Sequence, residues 1–206
     1  MTQSILNLFD IRQELLVFLR NKDIISTANR GVTNVQDTGT FASDSSHLIN
    51  RTNVKNIRSI TRGSLLVFGT DYTVEYYFND SGTRKCKITF AAAQTGSYSI
   101  DYDYGTDKIW ADFPRDDLSI NSYPRIAVDI LSISSDAFGI GGNEDISNIL
   151  FTVVVYGQEM ETVQDYITDI RKNFLENRSA FFYIRFIKPV GLGPLINDGK
   201  RQEIMS

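Results

Sequence analysis

The chain has 206 residues, 42% hydrophobic and 22% charged, a balance that suits one folded domain or two small ones and excludes global disorder. Its formal net charge of -4, with lysine and arginine scattered along the chain, gives no basic block for nucleic acid or anionic lipid. A single cysteine, Cys86, excludes an internal disulfide framework and a cysteine-based zinc site, and is read as a small apolar strand residue suited to a reducing compartment.

The first predicted element is a helix over residues 4–20. Ile5, Leu8, Phe9, Leu15, Leu16 and Leu19 recur at three- and four-residue intervals and form one stripe. Asp10, Arg12 and Glu14 interrupt the leucines, so this segment has neither the apolar length of a membrane span nor the form of a signal peptide. Residues 25–50 are rich in Ser, Thr, Asn, Asp and Gly with few apolar anchors, and are expected to form a long loop or arm lying against a neighbouring subunit. His47 falls there without companion ligands and is read as a solvated loop residue rather than a metal ligand.

A strand is expected around residues 54–60, followed by a turn at Arg62-Gly63. The next stretch alternates: Tyr72, Val74, Tyr76 and Phe78, then Cys86, Ile88 and Phe90, then Tyr98, Ile100, Tyr102 and Tyr104 share one face. Joined by "NDSG" and "AAAQTG", these runs predict a three-stranded antiparallel meander with an aromatic inner face. Thr73, Glu75, Lys85, Lys87, Asp101 and Asp103 are placed on the opposite, wet face. Asp101 and Asp103 point the same way, yet two aspartates supply too few oxygens for calcium and nothing adjacent suggests a raised pKa.

Pro114 and Pro124 bracket a surface connection, and a strand begins near Arg125 with Ile126, Val128 and Ile130 on one face. The "GIGG" that follows lacks the lysine and hydroxyl of a phosphate loop and precedes a strand, so it reads as a hairpin tip exposing Phe138 and Ile140. "ILFTVVVY" is a buried strand. From Met160 to Asn177 the spacing of Met160, Val163, Ile167, Ile170 and Phe174 predicts a helix packed on a sheet. "FFYIRFI" predicts a last strand, and the Gly/Pro-punctuated tail after it is expected to reach a neighbour.

The expected fold class is α+β: an antiparallel sheet with two packed helices over residues 1–50 and 106–206, carrying an inserted β-rich meander module over 51–105. One histidine and one cysteine, far apart in sequence, with no clustered ligands and no phosphate loop, argue against an enzyme. No catalytic, cofactor or metal residues are assigned.

The order of "IRQELLVFLRN", "PRIAVDILS", "ILFTVVVYG", "METVQDYITDIRKNFLEN" and "FFYIRFIKP" resembles the tail terminator, or tail completion, proteins of long-tailed bacteriophages and related archaeal viruses. The resemblance covers residues 1–20 and 123–190 and is one of order and hydrophobic pattern. The middle segment, with "GTDYTVEY", "KITF" and "GSYSIDYDYG", looks like small β-rich modules of phage tail and neck proteins. The resemblance implies a homo-hexameric ring that caps the tail tube at the head-proximal end of the virion, assembled in the host cytoplasm. Its partners would be other copies of itself, the tail tube protein and a head-side connector or stopper, with DNA passing through the channel without specific binding and no membrane involved. Arg30, Phe41, Phe138, Ile140, Leu192, Leu195 and Ile196 are the candidate inter-subunit or tube contacts. A head-completion stopper or tail-tube-like subunit is the nearest alternative, and a carbohydrate- or receptor-binding β module is the alternative of a different class.

Overall fold

The computed structural model describes residues 8–111, 123–137, 145–178, 181–184, 186–189, 191, 195–197 and 202–205. In chain order the elements are α1 (Leu8–Asn21), α2 (Thr27–Arg30), β1 (Val32–Thr52), β2 (Val54–Arg62), β3 (Ser64–Leu65), β4 (Tyr72–Asp80) and β5 (Thr83–Gly105). They continue with β6 (Ile109–Trp110), β7 (Arg125–Ala137), β8 (Asp145–Gly157), α3 (Met160–Glu176), β9 (Leu195–Asn197) and β10 (Gln202–Met205). This is an α+β fold with two sheets. No helix among the described residues is long and apolar enough to cross a membrane.

Two compact units divide the chain: residues 1–19 with 108–206, and residues 20–107. The inserted unit therefore begins at residue 20, where the sequence placed its start at 51. The reason is β1. Residues 32–52, expected as a loop or arm, form one long strand antiparallel to β5. Its buried anchors, Val32, Phe41 and Ile49, lie too far apart to produce the alternation that identifies a half-buried strand.

The second unit is organised around β5. β1 pairs along one edge of it from Gly105 back to Lys85, while β2 pairs with residues 99–104 and β4 with residues 83–90. The hairpin between β4 and β5 turns at Ser81 and Gly82, both with positive φ, as a two-residue turn matched to strand twist requires. The expected second reversal at "AAAQTG" is absent: β5 runs straight through it, with a register shift against β1 between Asp44 and Ser46. The three-stranded meander is thus replaced by one hairpin whose second strand is shared. The predicted inner face is met in part, with Val74, Phe78, Tyr98 and Tyr104 only half-buried. Tyr72, Tyr76, Cys86, Ile88, Phe90, Ile100 and Tyr102 are buried on it, and Ile57 N–H donates to the Tyr76 hydroxyl at 3.2 Å.

In the first unit the sheet order is β6-β7-β8-β10-β9, antiparallel except for the β6–β7 pair. The α1 side chains Ile11, Leu15, Leu16, Phe18 and Leu19 and the α3 side chains Val163, Ile167, Ile170 and Phe174 are buried, as their helical spacing dictates. Phe18 and Phe174 stack at 5.1 Å, and Phe151 of β8 meets Phe174 edge-on at 5.8 Å. The expected strand over "FFYIRFI" is not formed by its described residues, 181–184 and 186–187. Phe182 and Tyr183 donate their backbone N–H groups to the Glu14 carboxylate, and Phe181 packs on Phe18 at 4.7 Å, so those donors are unavailable to a ladder. The tail beyond it contributes β9 and β10 to this unit's own sheet, with β10 pairing β8.

Candidate assembly surfaces

Arg30, expected at an intersubunit contact, is instead fully buried inside the second unit. It closes the four-residue helix α2, which Ser26 caps by accepting from Asn29 N–H and which Gly31 ends in the left-handed conformation at φ 71°. From there its guanidinium donates to both Asp107 oxygens, at 2.9 and 3.2 Å, and to Asp103 Oδ2 at 3.3 Å. Arg58 donates to Asp103 Oδ1 at 2.8 Å and to Asp23 Oδ1 at 2.9 Å, and Asn34 donates to Asp103 Oδ1 at 3.2 Å. Hydrogen bonding, first from Asp23, holds the Arg58 guanidinium above its ordinary range.

Asp103 therefore does not lie on a wet face. Its side of the sheet is covered by residues 20–31, and every carboxylate oxygen of Asp103 and Asp107 is engaged by arginine. Three arginines, Arg20, Arg30 and Arg58, balance three aspartates, Asp23, Asp103 and Asp107. A hydrogen-bonded cluster of this kind fastens chain segments and leaves no carboxylate of Asp103 or Asp107 free to act as a base.

Phe41, the other candidate contact in this unit, is also buried. Its ring stacks on Tyr98 at 4.1 Å and meets Phe90 and His47 edge-on. His47 is thereby part of an aromatic cluster, and burial lowers its pKa. Cys86 is fully buried, and desolvation pushes its thiol up to about 12, far from a reactive thiolate.

The surface feature of the first unit is the distal half of the β7–β8 hairpin. β6 pairs with β7 at Ile126 and Ala127 and β10 with β8 from Val154 to Gly157, so the hairpin is flanked as far as Ala127↔Val154; from Val128↔Val153 to Ile130↔Phe151 the two strands pair only with each other among the described residues. Past a register shift at Leu131, pairing continues from Ser132↔Leu150 to Ala137↔Asp145 with no third strand beside it among the described residues. Leu131, Ile133 and Leu150 are 51, 43 and 47% exposed, so this ribbon carries apolar side chains into solvent. Ser132, Ser134, Ser147 and Asn148 give it small polar side chains between them.

Phe138, Ile140 and Leu192 lie outside the described residues. Leu195 and Ile196 sit in β9, opposite Ile204 and Glu203. Leu150 falls in the stretch read as a buried strand, while Leu131 and Ile133 fall in the alternation opposite Ile126, Val128 and Ile130, so the sequence reading singles out none of the three. Their exposure sets them apart from Val128 and Val153, which are buried although they too lie beyond the flanking strands. Comparison of the chain with protein-family models, with curated proteins and with solved structures finds no match.

Proposed function

We propose that this chain is a structural assembly protein: a subunit of a closed homo-hexameric ring that caps a viral tail tube and joins it to the head-side neck. The observation that carries the reading is the projecting ribbon of β7 and β8. A two-stranded ribbon is marginally stable alone in water, and one with Leu131, Ile133 and Leu150 exposed gains by being covered. Copies of the same chain arranged head to tail would cover it with a closed set of contacts. The order of α1, β7, β8 and α3 supports the tail-terminator reading specifically, because those elements fall on the stretches that resemble that family. The net charge of -4 suits a channel along which DNA slides, since a basic lumen would hold phosphates.

Native mass spectrometry of the purified chain over a concentration series, with negative-stain images of the same sample, tests this. The expected result is a closed ring of six subunits, single or as two joined rings, that does not stack further and that binds one end of tail tubes. A monomer at every concentration, or open-ended stacks, overturns it.

A further inference from the structure

The second unit leaves one long sheet edge open. Among the described residues β1 pairs with β5 alone, and from Val32↔Gly105 to Ala42↔Thr95 the register is one-to-one without a break, ending before Ser43, whose φ is 76°. This regular stretch spans about 35 Å, and alternate backbone N–H and C=O groups along it point away from β5. Gln36, Thr38, Gly39 and Thr40 are exposed.

Protein sheets protect such edges with lysine, proline or very short strands. Residues 32–50 contain no Lys, Arg or Pro. Asp37, the one charged side chain between Val32 and Ala42, accepts a hydrogen bond from the Tyr102 hydroxyl at 2.7 Å. The edge is thus long and regular and lacks those protections, and the described residues supply it with no strand.

We infer that the β1 edge of one copy pairs with the β1 edge of a second copy, antiparallel across a two-fold axis. Length selects this occupant: the sheet's other outer strands, β3 and β4, have two and nine residues, and β4 is broken by a register shift after Glu75. Among the outer strands of this sheet only another β1 matches the edge in length. A register centred on Gln36 pairs residues 32–40 of the two copies and sets Asn34 opposite Thr38 and Val35 opposite Asp37, so the two Asp37 carboxylates do not face each other. Because the contact consumes the same edge on both copies, it closes at two and does not grow into a fibre. The pairing is independent of the ring and would join two rings or two free subunits alike.

The test compares the wild-type chain with Gln36→Lys/Thr38→Lys, which puts like charges directly across the two-fold axis on exposed positions. Native mass spectrometry is expected to show the mass of the complex halved in the variant, with an unchanged far-ultraviolet spectrum. Amide exchange on the wild-type chain is the second readout. Protection within residues 32–42 is expected to rise by about tenfold or more between dilute and concentrated samples, as a strand edge becomes paired. An unchanged mass in the folded variant, or β1 amides that exchange at the same rate at every concentration, overturns the pairing. A ring that survives with half its mass separates this contact from the hairpin contacts, and a wild-type monomer refutes both.

Discussion

Arg20 Nε stands 2.7 Å from Asp107 Oδ2, so the first and last residues of the second unit are joined by a buried ion pair. Arg30 grips the same carboxylate, which ties the entering chain, the exiting chain and the end of α2 to one point. Removing Asp107 would take a shared carboxylate from two buried guanidinium groups, leaving Arg30 with Asp103 and Arg20 with the Lys55 carbonyl. Asp107→Ala is expected to destabilise the second unit by about 3–5 kcal/mol, whereas an exposed carboxylate such as Glu75 removed in the same way changes little. The same closure predicts that residues 20–107 expressed alone give a cooperative thermal transition. Chemical denaturation of the two variants and calorimetry of the fragment decide it, and a non-cooperative fragment would count against the clamp.

Gly105 is the second point where this junction is tightly determined. Its φ is 141°, a conformation that side chains avoid, and a Cβ there would lie 2.6 Å from the Gly31 carbonyl oxygen. Both atoms belong to backbone that the β1–β5 pairing fixes at Val32↔Gly105, so neither can move aside cheaply. Gly105→Ala is expected to cost about 1–3 kcal/mol or more, read as a lowered unfolding midpoint. Gly63→Ala is the comparison: φ is 68°, yet nothing lies within 4 Å of its Cβ, so conformational strain alone acts and the loss is smaller.

What the sequence made legible follows from the length scale of each signal. α3 was readable because Val163, Ile167, Ile170 and Phe174 announce one buried face within seventeen residues. β4 and the first part of β5 were readable from period-two alternation and the Ser81-Gly82 turn. β1 was not, because it is held by backbone pairing to β5 and needs few apolar side chains. Asp103 looked wet for a related reason: alternation gives the face of a strand, and the arginines that cover that face come from residues 20, 30 and 58. Residues 181–184, expected as a strand, show the converse, since β propensity lost there to a carboxylate 168 residues before Phe182 in sequence.

That carboxylate gives a pH prediction. Glu14 is 8% exposed, and burial raises its pKa above the ordinary 4.5 despite the N–H groups of Phe182 and Tyr183, which pull it down. An acid with a raised folded pKa holds its proton longer in the folded state, so stability falls as pH rises from the unfolded value through the folded one. Glu14→Gln keeps a carbonyl acceptor for the two donors and removes the titration. The stability of wild type relative to this variant should therefore decline as pH increases from about 4.5, then level off once Glu14 is ionised in both states. Urea titrations across that range check it; a wild-type advantage that grows with pH would reverse the sign and refute the account.

The hairpin supplies the last prediction, which separates a surface needed for folding from one needed for assembly. Ile133 and Leu150 are 43 and 47% exposed and lie beyond the strands that flank β7 and β8, so the chain's own core gains little from them. Ile133→Asp/Leu150→Asp is expected to change unfolding free energy by no more than about 0.5 kcal/mol per site, the range for surface positions. In a complex that covers the ribbon, the same substitutions bury carboxylates against apolar side chains, a cost that two charges per subunit multiply around a closed ring. Sedimentation velocity should then show the ring mass lost at concentrations where the wild-type chain holds it, with the thermal midpoint nearly unchanged. If the doubly substituted chain assembles as the wild type does, the ribbon is not the contact and the ring reading loses its main support.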